Sequence, residues 1–153
     1  MEIRSISKSQ RAGAIELAGR IFMEFEAPDY SREGIEAFFD TALRNEDFLN
    51  RLTIYGAFEG NELVGMIATR QEGRHIALFF VEGKYHRQGI GRRLFCAAAK
   101  NCTADEMTVN APPYAVEVYR RLGFYEMGGE ETVTGIRFTP MVYKKNRTVA
   151  GTP

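Results

Sequence analysis

The chain has no excess of either charge and no long apolar run. Its 153 residues include 20 basic and 20 acidic side chains, which gives a formal net charge of zero. Proteins that bind nucleic acids or anionic membrane surfaces usually carry a basic excess, so neither partner is expected. No apolar run approaches the roughly 18 residues that a membrane-spanning helix needs, and the first residues lack a signal-like apolar core. We therefore expect a cytoplasmic protein.

Cysteine is scarce, and the sequence shows no repeat, linker or low-complexity segment. Cys96 and Cys102 are the two cysteines, and their spacing of six fits no zinc pattern, so we expect neither a metal site nor a disulfide framework. An apolar fraction of 44% is typical of a globular domain. We expect one domain over residues 1–146 and a disordered tail at 147–153.

A glycine-containing segment, residues 85–94, follows the apolar run 76–81 and opens a helical pattern. The helical spacing is carried by four apolar residues, Ile90, Leu94, Ala97 and Ala98. Gly89 and Gly91 lack Cβ atoms where the first N–H groups of the helix have no partner, so an anion can approach these donors. The helix dipole and the neighbouring arginines add to the attraction. The segment therefore predicts a phosphate-binding site.

Two common phosphate-binding patterns do not fit this segment. A P-loop requires a Gly-Lys-Ser/Thr ending, which does not follow Gly91. A dinucleotide fingerprint requires a third glycine at the position that Leu94 occupies. A nucleotide- or NAD-binding protein is therefore the weaker interpretation.

A second segment, residues 109–124, combines the end of a strand, a break and a short helix. Its apolar residues have helical spacing and are Ala115, Val118, Tyr119 and Leu122. Gly123 follows at the position where a helix commonly ends in the left-handed conformation. Taken alone, Tyr119 also fits a core tyrosine with its hydroxyl satisfied.

Together the two segments resemble the Gcn5-related N-acetyltransferase (GNAT) family. The family's first motif is Gln/Arg-x-x-Gly-x-Gly/Ala after a strand, and His86 departs from it at the first position. Its second motif ends in Tyr-x-x-x-Gly-Phe, which Tyr119, Gly123 and Phe124 match. Both motifs occur in the family's order and at about its separation, and they cover residues 76–124.

The flanking segments fit the same family. Capping signals at Ser7 with Gln10 and at Ser31 predict two helices, over residues 8–25 and from 32 onward. The expected strands are 2–6, 52–58, 63–70, 74–81, 105–110, 124–127 and 136–143. The order β-α-α-β-β-β-α-β-α-β-β predicts an α/β protein with a mixed sheet. The resemblance implies the acyl-CoA N-acyltransferase fold, a central sheet of about seven strands flanked by helices.

The resemblance implies acetyl-coenzyme A (acetyl-CoA) as co-substrate and no metal. Its pyrophosphate is expected on Arg87, Gln88, Gly89, Ile90, Gly91 and Arg92. In this fold two parallel strands splay apart beyond a bulge, which we expect near Val81. The pantetheine arm would lie in that splay and bond the backbone of Phe79, Phe80 and Val81, with Asn110 as a further contact.

The resemblance also implies that Tyr119 is the general acid that assists the leaving thiolate, with Tyr114 as a weaker substitute. The base is not given by the motifs, because Met107 and Pro112 occupy the positions where relatives carry a base and a helper. Glu82, directly after the strand, is the first candidate.

Glu26 is the second candidate for the base. It lies with Glu24 and Asp29 in the loop after the first helix, where an acidic lip could attract a cationic amine. Glu26 and Glu82 also fit ordinary surface carboxylates.

We therefore expect direct acetyl transfer from acetyl-CoA to a primary amine of a small molecule, peptide or protein. Neither cysteine is placed beside the thioester, so a covalent enzyme intermediate is not expected. The alternative is an acyl-CoA-binding or sensing module without turnover. The family's habits also suggest a homodimer, with residues 136–143 as an exchanged edge strand.

Overall fold

A mixed sheet of eight strands forms the centre of the molecule. A computed structural model describes residues 1–145, and the expected tail at 147–153 lies outside them. The strands are β1 (Glu2–Ser5), β2 (Thr53–Glu59), β3 (Glu62–Arg70), β4 (His75–Val81), β5 (Glu106–Ala111), β6 (Tyr125–Glu126), β7 (Glu131–Val133) and β8 (Ile136–Lys144). They are ordered β1-β2-β3-β4-β5-β8-β6, with β7 also paired to β8. The predicted α/β class and mixed sheet are confirmed.

Within residues 1–145, five α-helices flank the sheet. They are α1 (Arg11–Ile21), α2 (Arg32–Phe38), α3 (Glu46–Asn50), α4 (Ile90–Lys100) and α5 (Val116–Leu122). The sequence pattern missed α3 and β7, because five and three residues are too few for a periodic signal. The start of α3 is nevertheless capped, since the side-chain oxygen of Asn45 accepts a hydrogen bond from the Phe48 N–H at 3.1 Å.

The predicted helix boundaries have the expected capping contacts. The Ser7 N–H donates to Oε1 of Gln10 at 3.0 Å, although the first turn that follows is a 3₁₀ turn. The Ser31 hydroxyl accepts from the Gly34 N–H at 3.1 Å and begins α2. Gly123 ends α5 with a φ of 108°, a left-handed conformation that glycine adopts without a Cβ clash.

Each of the two faces of the sheet has its own apolar cluster. One cluster joins α4 and α5 to the sheet through buried residues such as Leu94, Met107 and Met141. The other joins α1 to the sheet and includes Ile21 and Met66. The expectation that β4 is buried on both faces holds in part: its residues alternate between buried and half-buried. Residues from both sides of β4 border the cavity described below.

Two π-helical turns interrupt the helices that the sequence predicts as continuous. The first spans Phe22–Glu26, where the Ala27 N–H bonds the carbonyl of Phe22, and the second spans Phe39–Leu43. The predicted helix over 8–25 therefore has its α-helical part only over 11–21. A π turn contains one residue more than an α turn, so it changes which side chains face the core.

β4 and β5 are parallel but pair over two positions only. His75 is opposite Thr108 and Ile76 is opposite Val109. Directly beyond, β4 has one extra residue, Ala77, in its pairing with β3, and such a bulge bends a strand away from its neighbour. The bulge expected near Val81 is therefore at Ala77, and the splay begins there.

β8 is paired on both sides within the chain. Val142 is opposite Thr108 of β5 and also opposite Tyr125 of β6, and Met141 likewise has two partners. Within one chain, residues 136–143 are therefore not a free edge, and the homodimer with an exchanged strand stays a prediction. Within residues 1–145 no helix has both the length and the apolar character that crossing a membrane requires.

Candidate active site

A cavity of about 490 Å³ fills the gap that the splay opens between β4 and β5. Its inner wall is formed by residues 76–80 of β4, by Val109 and Asn110 of β5 and by the helical segment that contains Tyr119. Its outer wall is formed by α2 and by the hairpin of β7 and β8. Glu26 and Tyr119 both line it, so the structure brings one predicted base and the predicted acid into one space.

Glu26 faces this cavity because the first π turn shifts the phase of the helix. The buried stripe of α1 includes Ile21, and α-helical spacing predicts Phe25 as its next member. The hydrogen bond from the Ala27 N–H to the Phe22 carbonyl spans five residues, so the chain turns less per residue here. As a result Phe25 is half-buried, whereas Glu26 is only 7% exposed.

The Glu26 carboxyl group has one hydrogen-bond donor at hand. The hydroxyl of Tyr30 donates to Oε2 of Glu26 at 3.0 Å. Burial raises the pKa of Glu26 from 4.5 to about 7, the Tyr30 hydrogen bond opposes this rise, and the Asp29 charge adds to it. Tyr30 was not singled out from the sequence, although its i, i+4 spacing from Glu26 was a usable signal.

The raised pKa of Glu26 makes the stability of the fold depend on pH. Between about pH 4.5 and pH 7 the native state retains a proton that the unfolded chain has released, so stability falls as pH rises through this window. Glu26→Gln removes this dependence. The unfolding free energy of the variant minus that of wild type should rise by about 2–3 kcal/mol from pH 5 to pH 8. Urea unfolding at both pH values measures the difference, and the exposed Glu24→Gln is the control. If Glu26→Gln and wild type differed in unfolding free energy by the same amount at pH 5 and at pH 8, the carboxyl of Glu26 would not be buried as described.

Glu82, the first candidate for the base, lies outside the cavity. Its carboxylate forms an ion pair with the guanidinium of Arg20. Its backbone N–H donates to the carbonyl of Val64 at 2.9 Å and extends the contact between β3 and the end of β4. This geometry favours Glu26 over Glu82 as the base.

Tyr119 lies on α5 with its ring in the core and borders the cavity. It is 4% exposed, and its ring packs edge-on against Phe79 and Phe124 at centroid distances of 5.9 and 5.3 Å. Burial raises the pKa of Tyr119 well above 10, and the neighbouring Tyr114 and Glu26 raise it further. The hydroxyl therefore remains protonated at neutral pH and can donate a hydrogen bond.

Tyr114, the weaker substitute, also lines the cavity and stacks on Phe25 at 6.0 Å. Burial also raises the pKa of its hydroxyl above the ordinary value, and the Glu26 charge adds to the rise. Three protonated phenols, those of Tyr30, Tyr114 and Tyr119, and one titratable carboxyl thus border the same space.

The start of α4 has the geometry that an anion-binding turn requires. Gly89 precedes the helix with a φ of 82°, and a Cβ built on it would meet no atom within 4 Å. Gly91, in the first turn, has ordinary space towards Phe79. Arg87 adopts a left-handed φ of 63°, and the side-chain amide of Gln88 donates to the Lys84 carbonyl at 2.9 Å. The position in front of α4 therefore borders open space, where the first N–H groups of a helix have no partner within the helix.

Other side chains fix the ends of the elements around this turn. Nε2 of His86 donates to the carbonyl of Val81, the last residue of β4, at 2.7 Å. The guanidinium of Arg92 donates to the carbonyl of Arg121 at 2.8 Å and ties α4 to α5. His86 thus holds the strand end in place.

The remaining predicted contacts divide between the cavity and its surroundings. Phe79, Phe80 and Asn110 line the cavity, whereas Val81 does not. Cys96 is exposed and Cys102 is buried, and neither lines the cavity. Within the described part of the chain, no group of three or more His, Cys, Asp or Glu side chains could hold a metal ion.

This fold and site agree with a family assignment from sequence. Residues 26–145 match the family model described as acetyltransferase (GNAT) domain. The chain therefore belongs to the GNAT acetyltransferases, and the resemblance read from the two motifs is confirmed. A comparison with curated proteins gives no match.

Solved structures with the same fold extend over nearly the whole chain. A GCN5-related N-acetyltransferase from Rhodopseudomonas palustris is 22% identical, with a TM-score of 0.78 and coverage of 94% of both chains. The PaiA N-acetyltransferase of Thermoplasma acidophilum, solved with coenzyme A, is 24% identical, with a TM-score of 0.72 and coverage of 94% and 98%. Tetrahymena GCN5 is 14% identical, with a TM-score of 0.66 and coverage of 94% and 96%. These similarities establish the fold.

Proposed function

We propose that this acetyltransferase moves the acetyl group of acetyl-CoA directly to a primary amine, with Glu26 as base and Tyr119 as hydrogen-bond donor to the leaving sulfur. The observation that carries the proposal is the common cavity: a carboxyl with a pKa of about 7 and a protonated phenol border one space between β4 and β5. The relative solved with coenzyme A has the same fold.

The residues present fit acetyl-CoA. The N–H groups at the start of α4 and the open space beside Gly89 suit a pyrophosphate. Beyond Ile76, the backbone of β4 has no β5 partner on its cavity side, so its polar groups are available to the amides of a pantetheine arm. Bound there, acetyl-CoA would supply an activated acyl group. Asn110 and the backbone of Phe79 are the contacts that we propose on the two strands.

Glu26 meets the requirement for proton removal. An alkylammonium has a pKa of about 10.4, so a base must take its proton before the nitrogen can attack. Raising the pKa of Glu26 to about 7 reduces the difference between its pKa and that of the alkylammonium. The carboxyl is still largely ionised above neutral pH. The mostly apolar walls lower the pKa of a buried ammonium, which further reduces the pKa difference between the ammonium and Glu26.

Tyr119 has the complementary role. A thiol has a pKa of about 8.5, so a phenol of raised pKa gives up its proton to a thiolate only uphill. Its hydroxyl instead stabilises the charge that develops on sulfur through a hydrogen bond, or passes on the proton that Glu26 has taken. Neither role needs a covalent intermediate on the enzyme.

Gly89→Val is expected to weaken acetyl-CoA binding by at least about tenfold. A β-branched residue does not tolerate the φ of 82° at this position, and its side chain would occupy the open space in front of α4. Isothermal titration with coenzyme A measures the loss. The control is Gly13→Val, at another glycine with nothing within 4 Å, on α1. Unchanged affinity in Gly89→Val would place the phosphates elsewhere.

A two-part experiment tests the proposed function. Thermal unfolding is measured with acetyl-CoA, coenzyme A, ATP and NAD at equal concentration, and only the coenzyme A compounds should stabilise the protein. Release of free thiol from acetyl-CoA is then measured with a panel of amines. Stabilisation by acetyl-CoA without amine-dependent thiol release would indicate the alternative, a binding or sensing module. Stabilisation by ATP or NAD alone would refute the proposal.

A further inference from the structure

The cavity contains very little charge. Of the residues that line it in the described chain, Glu26 alone can carry a charge, and none is a lysine, arginine or histidine. Of the acidic loop predicted from the sequence, Asp29 faces Arg137 at 4.0 Å and Glu24 is exposed. An acceptor in this cavity therefore meets one carboxyl group for its amine and no partner for a second charge of either sign.

The outer part of the cavity, away from β4 and β5, is mainly apolar. Its side chains come from α2 and from the β7–β8 hairpin and include Phe38, Val133, Ile136 and Phe138. Two threonines also line it: Thr134 of the hairpin, and Thr41 of the second π turn, whose hydroxyl already donates to the Ala37 carbonyl at 2.7 Å. This surface suits an aliphatic or aromatic body, because burying apolar area is favourable and burying an unpaired charge is not.

The two parts of the outer wall are in direct backbone contact. A Cβ at Gly34 of α2 would lie 2.2 Å from the carbonyl oxygen of Gly135, and one at Gly135 would lie 2.1 Å from the Ser31 hydroxyl. The Arg137 guanidinium adds a hydrogen bond to the Asp29 carbonyl at 3.4 Å. At this contact α2 and the hairpin leave no room for a polypeptide between them, whereas a small molecule does not need to pass there.

On the basis of the function proposed above, we propose that the acceptor is a small primary monoamine with an uncharged, apolar body. Glu26 receives its ammonium group, and the Phe38, Ile136 and Phe138 side chains surround the rest. An amino acid would bring a carboxylate into a cavity without a cation, and a polyamine would bring a second ammonium without a second carboxylate. A lysine side chain within a protein would bring a polypeptide, for which α2 and the hairpin leave no room at the Gly34–Gly135 contact.

Three acceptors of equal chain length separate these classes. Hexylamine, 1,5-diaminopentane and 6-aminohexanoic acid share one chain of an amine and five methylenes, and they differ only in the far-end group, which is a methyl, an ammonium or a carboxylate. Thiol release from acetyl-CoA by the full chain should give hexylamine a kcat/KM at least about tenfold above the other two and above an amino-terminally blocked lysine peptide. Equal or better use of the diamine, the amino acid or the peptide would overturn this inference and leave amine acetylation intact. Absence of release with every amine, while acetyl-CoA still binds, would overturn the proposed function with it.

A designed charge tests where the far end of the acceptor lies. Val133 lines the cavity and is 54% exposed, so Val133→Glu adds a carboxylate to the outer wall at little cost to folding. The preference for hexylamine over the diamine should fall by about tenfold, since the second ammonium gains a partner. Val118→Glu is the matched control, because Val118 is 43% exposed on α5 and does not line the cavity. An unchanged ratio in Val133→Glu, or an equal change in Val118→Glu, would overturn the placement.

Discussion

Glu26→Gln should lower kcat/KM for the amine by roughly 10²-fold or more at pH 8.5, the usual range for loss of a general base. The amide keeps the shape of the carboxyl and can still accept the hydrogen bond from Tyr30, so the cavity keeps its form. It cannot take a proton. The wild-type profile should rise with an apparent pKa of about 7, and the variant should lack that rise.

The ratio of kcat/KM for wild type to kcat/KM for Glu26→Gln is more informative than either value alone. At pH 5.5 the wild-type carboxyl is mostly protonated and behaves like the amide, so the ratio should shrink by roughly tenfold or more from its value at pH 8.5. Glu24→Gln, at an exposed position of the same segment, controls for a change of net charge. Glu82→Gln tests the other predicted base. If Glu82→Gln abolished the pH dependence and Glu26→Gln preserved it, Glu82 and not Glu26 would be the base.

Tyr119→Phe is expected to lower kcat by roughly 10²-fold with little change in the dissociation constant of acetyl-CoA. The substitution keeps the ring contacts with Phe79 and Phe124 and removes only the hydroxyl, whose role we place on the leaving sulfur. Single-turnover measurements with hexylamine, together with titration of acetyl-CoA, separate turnover from binding.

Two further tyrosines serve as comparisons. Tyr143→Phe is the matched control, because Tyr143 also packs on Phe124, at 5.5 Å, but does not line the cavity. Tyr114→Phe tests the alternative donor and should have the smaller effect. Equal rates for Tyr119→Phe and wild type across the pH range would remove Tyr119 from the mechanism.

Prediction from sequence succeeded where local chemistry decides the structure. Gly123 ends a helix because the left-handed conformation favours glycine, and Ser31 begins one because its hydroxyl accepts the Gly34 N–H. Glycines after an apolar strand predicted the turn before α4 for the same reason. α3 and β7 were missed because they are too short to show a period and depend on tertiary packing.

The candidate site could be predicted only in part, since its geometry arises from two irregularities. The bulge at Ala77 decides where β4 leaves β5, and no residue type in that stretch marks it. Because of the π turn before Ala27, Glu26 is buried where α-helical spacing predicts Phe25 to be buried. The helical period alone therefore predicted the wrong buried residue. The proposed acid follows from the position of its motif, whereas the proposed base was chosen because it is buried in the cavity.

The short pairing of β4 with β5 has a consequence for how the domain is held together. β3 and β4 are joined over six registered positions, and so are β5 and β8, but two positions join the two halves of the sheet between them. A molecule that bonds both strands across the gap would supply cross-strand hydrogen bonds that the chain itself omits. Part of the binding free energy would then hold the two halves of the sheet together, and the unfolding temperature would rise with the concentration of that molecule. In such a domain the tertiary structure is completed by what it binds.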